Sequence, residues 1–279
     1  MNFSIRFLVI VLIFIPMIAL AQPQLLVKGL TFTEGPAMDV DGNLFFSDVP
    51  EKKIYRYSSD GELTVFMENT GGANGLAFDA QGRLVMCVSK NRKVVRLEPD
   101  GKTTVLADSF QGRKLNSPND LWIDPDGGIY FTDPRYGNRD SMEQKGMFVY
   151  YLAAGKEQLT RVIGDLERPN GIVGTPDNKM LYVVDEGERK TWRYTIEING
   201  KLANKSLFCD GGIDGLALTA DGRLAVTLEH EVALYHPSGK KLSSWPFQSH
   251  PTNVCFYNDN LYVTTQAGQV FKIKLKPGL

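Results

Sequence analysis

One short pattern recurs six times along this chain and restricts the folds open to it. A polar residue stands ahead of a small or apolar stretch, and a tight turn follows about eight residues on. Glu34-Gly35-Pro36 leads to Asp41-Gly42, Asn74-Gly75-Leu76 to Gln81-Gly82, and Asn119-Asp120-Leu121 to Asp126-Gly127. Asn170-Gly171-Ile172 leads to Asp177-Asn178, Asp214-Gly215-Leu216 to Asp221-Gly222, and Asn253-Val254-Cys255 to Asp259-Asn260. The copies begin 40, 45, 51, 44 and 39 residues apart. Each turn precedes a short apolar run, at 44–47, 84–88, 129–132, 180–184, 224–227 and 261–264. A further run follows at 53–57, 93–97, 146–151, 191–196, 232–235 and 270–275, and in most copies a fourth, as at 63–66 and 103–106. No stretch after residue 21 has a convincing helical period. Strand-turn-strand units repeating every 43 residues or so (258 residues over six copies) are the pattern of a propeller blade. One four-stranded blade cannot bury both faces, whereas six packed radially can. The last copy stops without a fourth strand, and an orphan strand-like run at 24–30 precedes the first. The spacing therefore predicts an all-β, six-bladed β-propeller over 22–279, closed by an N-terminal strand that completes the sixth blade and removes an open edge.

Residues 1–21 stand outside the repeat. Arg6 is their only charge, an apolar run extends over 7–20, and Ala19-Leu20-Ala21 ends it. That is the layout of a secretory signal peptide cleaved after Ala21, with a single membrane anchor as the rival. Export to a periplasmic or extracellular space is expected, with no membrane attachment after cleavage. Three cysteines remain (Cys87, Cys209 and Cys255). The odd count argues against a disulfide framework, and the lack of a Cys/His cluster argues against a zinc-finger-type site. A hydrophobic content of 43% with 23% charged residues excludes a disordered chain. The net charge of −1 excludes nucleic-acid or membrane binding by bulk charge.

Repeat symmetry places the six leading residues, Glu34, Asn74, Asn119, Asn170, Asp214 and Asn253, in one ring at one end of the channel. A lone Asn-Gly or Asp-Gly is more often a turn. Here each precedes an apolar strand and the ordinary turn comes later. Two carboxylates among carboxamides on a narrow axis repel each other and are costly to desolvate. A hard divalent cation would compensate both. Oxygen-only ligands favour Ca²⁺, ahead of Mg²⁺, Mn²⁺ and Zn²⁺.

At these residues the chain resembles the SMP-30/gluconolactonase/luciferin-regenerating family, calcium-dependent six-bladed propellers. Its bacterial gluconolactonase branch is matched by Arg113-Lys114-Leu115-Asn116-Ser117-Pro118-Asn119-Asp120-Leu121 and by 126–134 with Tyr136-Gly137. Thr33-Glu34-Gly35-Pro36, Arg168-Pro169-Asn170-Gly171 and Ile213-Asp214-Gly215-Leu216 are similar to its three metal-bearing motifs, and His250-Pro251-Thr252-Asn253-Val254 to its closing one. The resemblance implies that Glu34, Asn170 and Asp214 bind the metal and that Asn119 completes the site or orients substrate. It also implies that Asp214 activates water, and Ser117 and Tyr136 join Asn119 as expected substrate contacts. Two positions depart from the branch. Val88-Ser89 replaces a Glu-His pair that would be placed to meet sugar hydroxyls, and Ile213 replaces a proline.

The expected chemistry is hydrolysis of a small-molecule lactone. Phosphotriester hydrolysis at the same metal, or a non-enzymatic propeller with a structural ion, are the alternatives. Asp133 reads either as a carboxylate behind the site or as a strand-end turn with Pro134. Tyr136 reads as a mouth residue or an exposed loop aromatic, and 137–146 as a lid or a decoration. His250 could face the channel, with a packed histidine the commoner outcome. No G-x-S-x-G elbow is present, and Gly71-Gly72-Ala73 leads into no helix and cradles no phosphate.

Overall fold

In a computed structural model, residues 22–275 are described; the predicted leader, 1–21, lies outside them. Six four-stranded antiparallel sheets form the blades of a propeller. The first holds Thr33–Met38, Leu44–Asp48, Lys53–Tyr57 and Leu63–Met67, from axis to rim. Blades two to five repeat this order, their inner strands being Ala73–Phe78, Leu121–Ile123, Pro169–Gly174 and Leu216–Leu218. The sixth takes Pro251–Tyr257, Asn260–Thr265 and Val270–Lys274 from the C-terminal end, and Gln24–Val27 as its outer strand. Gln24 pairs with Lys272 and Leu25 with Phe271, as the orphan run required. The Thr252 hydroxyl donates to the Thr33 carbonyl at 2.6 Å and locks blade six to blade one at the axis. The orphan run is strand only over Gln24–Val27, three residues shorter than expected; the other expected strands agree with those observed to within a residue or two at each end.

The alternating runs bury their apolar side chains between blades. One core joins Phe45 and Ile54 of blade one to Leu84 and Met86 of blade two. Another joins Val27, Tyr262 and Val270 to Leu44 and Phe46 across the closure. The blades thus adhere by ordinary apolar burial, and the axis is free to be polar.

Two local devices shape that axis. Four inner strands carry a register shift at the leading residue, between Glu34 and Ala37, Ala73 and Leu76, Pro169 and Ile172, and Pro251 and Val254. A bulge of this kind re-aims side chains and ends regular pairing. The glycine that follows the leading residue is needed because the next blade comes so close. A Cβ on Gly75 would lie 2.7 Å from the Asn119 carbonyl oxygen, and one on Gly171 2.2 Å from that of Asp214. Their N–H groups donate to those same carbonyls, at 2.8 and 3.0 Å. The recurring x-Gly is therefore a seam between strands and not a turn.

Candidate functional site

The five leading residues of blades one to five, Glu34, Asn74, Asn119, Asn170 and Asp214, line one cavity of about 320 Å³ at an end of the channel. Phe32, Val49, Pro50 and Ile213 give it an apolar wall, and Lys90, Tyr136, Glu186 and His250 also line it. Asn253, the expected sixth member, is not among the lining residues. Its Oδ1 accepts from the Val254 N–H at 2.8 Å and its Nδ2 donates to Asp120 Oδ2 at 3.3 Å. It packs into the space that Gly215 leaves open.

Carboxylates dominate the electrostatics. Burial pushes the Glu34 carboxyl well above its ordinary range and the Asp214 charge pushes it further, while the Gly35 N–H, 3.0 Å from Oε2, opposes the rise. Asp214 is raised by burial first and then by Glu186 and Asp120. Asp120 itself is pushed up to about 6, chiefly by burial. Buried carboxylates that oppose one another need protons or a cation. Asn74 Oδ1 and Asn170 Oδ1 are buried and find no hydrogen-bond partner among the described residues, a state that costs about 1–3 kcal/mol each. Two charged and two unpartnered neutral oxygen-bearing groups in one wall suit a hard divalent cation. Among the described residues no three His, Cys, Asp or Glu side chains form a metal cluster, so the fit depends on the carboxamides.

The remaining expected residues divide. Tyr136 is 42% exposed as a residue, but its hydroxyl turns inward, donating to Glu186 Oε2 at 2.7 Å and accepting from Asn170 Nδ2 at 2.8 Å. Burial, with the Asp214 and Glu186 charges behind it, holds that phenol far above its ordinary value. Ser117 is not among the lining residues; its hydroxyl donates to the Ser89 carbonyl at 3.2 Å. His250 does face the cavity. Its Nε2 lies 3.7 Å from Asp214 Oδ2 and its Nδ1 3.1 Å from the Glu229 carbonyl oxygen.

Asp133 belongs to a clamp that the sequence does not announce. It ends the second strand of blade three and accepts the Asn116 and Ser117 N–H groups at 2.8 and 2.7 Å. Asp48 and Asp185 do the same for Thr31 and Phe32 and for Glu167 and Arg168. Each clamp fixes the loop that delivers a leading residue. Val88 holds this register in blade two, pairing with Ala73 as Asp48 pairs with Thr33, and is 1% exposed. A polar side chain at 88 would therefore meet that loop and not substrate, so the Val88 departure does not bear on sugar contact as expected. The 137–146 insertion is docked away from the cavity. Gln144 Nε2 donates to the Phe110, Arg113 and Lys114 carbonyls, and Glu143 accepts the Lys114 N–H at 2.9 Å.

Glu186 and Asp120 escaped the sequence reading. Glu186 directly follows the Asp185 clamp, and its N–H donates to the Arg168 carbonyl as that of Val49 does to Phe32 and that of Ser89 to Gly72. Aligning the six copies one residue past the second strand as observed places it at the mouth of the cavity.

The family description SMP-30/Gluconolactonase/LRE-like region matches residues 32–267. The chain is 27% identical over 251 residues to a gluconolactonase from Zymomonas mobilis, covering 78% of this chain and 70% of that protein. Over 167 residues it is 26% identical to diisopropyl-fluorophosphatase from Loligo vulgaris, 52% of each chain. A solved gluconolactonase structure from Xanthomonas campestris superposes with a TM-score of 0.84 at 29% identity, covering 91% of this chain and 89% of that one. With a match that runs from the first blade into the sixth, the chain belongs to the SMP-30/gluconolactonase/LRE-like family.

Proposed function

We propose that the protein is a divalent-cation-assisted lactonase, with Ca²⁺ the first candidate ion, that opens a sugar or related small lactone with water. The observation that carries this reading is the convergence of the Glu34 and Asp214 carboxylates with the unpartnered carboxamide oxygens of Asn74 and Asn170 in one cavity. Glu34, Asn170, Asp214 and Asn119 would hold the cation, with Asn74 beside them. When bound, it supplies Lewis-acid polarisation of the ester carbonyl.

The chain's own groups do the rest. Asp214 Oδ2 removes a proton from the attacking water. Nδ1 of His250 faces a carbonyl and so carries the ring proton in the neutral form, which leaves Nε2, 3.7 Å from Asp214, as the acceptor that relieves it. The acyl C–O bond of the ring breaks, the released ring oxygen takes up that proton, and a hydroxy acid leaves. Phe32, Val49, Pro50 and Ile213 exclude water from one side of the substrate. Similarity to the Loligo vulgaris diisopropyl-fluorophosphatase favours phosphotriester hydrolysis as the second reading. We further propose that 1–21 is an export leader; the mass of the secreted chain tests this.

Acid release from a lactone panel and from a fluorophosphate, measured with Ca²⁺, Mn²⁺, Zn²⁺ or a chelator, decides the function. Cation-dependent lactone turnover that Asp214→Asn removes is the expected result. A Ca²⁺-raised melting temperature with no turnover on any lactone would refute it.

A further inference from the structure

Asn170 offers one amide edge to its surroundings and can offer it either way round. Its carboxamide oxygen is useful to a cation only if the nitrogen is engaged elsewhere. A chain of hydrogen bonds makes that choice. The Arg168 guanidinium donates to Glu186 Oε1 at 3.1 Å and lies 5.6 Å from the Tyr136 ring centroid. A carboxylate paired with Arg is an acceptor only. The single hydroxyl proton of Tyr136 is therefore committed to Glu186 Oε2, 2.7 Å away. The phenol oxygen is left to accept, and the atom of Asn170 that meets it, 2.8 Å away, must be the nitrogen. The second amide hydrogen faces the Ile213 carbonyl at 3.4 Å and the Asp214 carboxylate, both acceptors. Asn170 Oδ1 is thereby left as the unpartnered atom.

The tyrosine is itself held. Neighbouring Arg135 donates to the Asn116 and Asn138 carbonyls and to Ser141 Oγ at 3.2, 3.0 and 2.6 Å. Asp185 clamps the Glu167 and Arg168 N–H groups at the other end of the chain of bonds. Both ends are fixed by residues that do not line the cavity.

We propose that Arg168, Glu186 and Tyr136 form an orienting relay that fixes the Asn170 carboxamide and so sets the site's affinity for a divalent cation, with Tyr136 as the positioning residue. This rests on the cation reading above and adds a determinant of affinity outside the ligand set. Partners that orient metal ligands typically change affinity about 10- to 100-fold when removed.

A double-mutant cycle read by calorimetric titration of Ca²⁺ tests it. In the parent chain Tyr136→Phe should weaken Ca²⁺ binding by at least about tenfold. In an Asn170→Asp background the same change should cost less than about threefold, because a carboxylate presents an oxygen whichever way it turns. The cation-free melting temperature of Tyr136→Phe should match the parent's, which a merely structural role would not allow. Equal losses in both backgrounds, or none in either, would overturn the relay. A parent chain that binds no Ca²⁺ would instead sink the cation reading, and this inference with it.

Discussion

Asp133 sets two physical effects against each other, and its pH dependence reveals which wins. The carboxyl is fully buried, and that burial pushes it from 3.8 up to about 7, against the opposing pull of two backbone N–H groups, Arg92 and Arg135. The native state then holds this proton more tightly than the unfolded chain does. The group's contribution is therefore fully present below pH ~4 and is lost as pH rises through ~7. Integrated between pH 5 and pH 8, the loss is about 2.5 kcal/mol. Asp133→Asn cannot titrate, and all other groups are shared, so the stability of the native protein minus that of the variant should fall by about that amount from pH 5 to pH 8. Urea unfolding at both pH values, followed by tryptophan fluorescence and compared at equal m-value, measures it. A difference that stays level or grows with pH would show that the Asn116 and Ser117 N–H bonds outweigh desolvation, and the carboxyl would then belong in the ordinary range.

Tyr150 is fully buried and its hydroxyl has no partner among the described residues; Tyr150→Phe should stabilise the fold by about 1 kcal/mol, seen as a raised melting temperature by calorimetry. Gly171→Ala places a Cβ 2.2 Å from the Asp214 carbonyl oxygen, so it should cost about 1–3 kcal/mol and also diminish the Ca²⁺-induced rise in melting temperature. Asp214→Asn should lower lactone turnover by about 10²–10⁴-fold. It should also raise the cation-free melting temperature, since it removes a buried carboxylate opposed by Glu186 and Asp120.

The fold was legible because each copy of the repeat states the same local rule. Turn chemistry, a buried second strand and a short third strand recur at every copy, and the orphan run at 24–30 had one edge left to fill. The leading residues were legible for the same reason, and five of the six expected share a cavity. Roles that depend on what a neighbouring blade presents could not be read. Nothing local distinguishes Asn253, which spends its carboxamide on Val254 and Asp120, from Asn170, whose oxygen stays unpartnered. Ser117 resembles a substrate contact in sequence, but the Asp133 clamp holds its backbone and its hydroxyl goes to Ser89. Glu186 follows the second strand of its blade, outside the leading position that drew attention to the ring.

The division of labour within a blade explains why such a site can exist in so small a disc. Apolar burial between adjacent blades, as in the Phe46, Tyr262 and Val270 cluster across the closure, holds the ring without help from the axis. The axis could then be filled with small or apolar residues at no loss to the fold. It holds instead two desolvated carboxylates whose proton affinities are raised by burial and by neighbouring carboxylates, and two carboxamide oxygens left without donors. Each of these opposes stability in the cation-free protein. A cation would relieve all of them together, so the same groups that destabilise the empty site are those whose relief favours binding. The Ca²⁺-induced rise in melting temperature should therefore shrink with every one of them removed, Asn74→Ala included, although Asn74 carries no charge. An Asn74→Ala protein whose Ca²⁺ response equalled the parent's would remove that carboxamide from the ligand set.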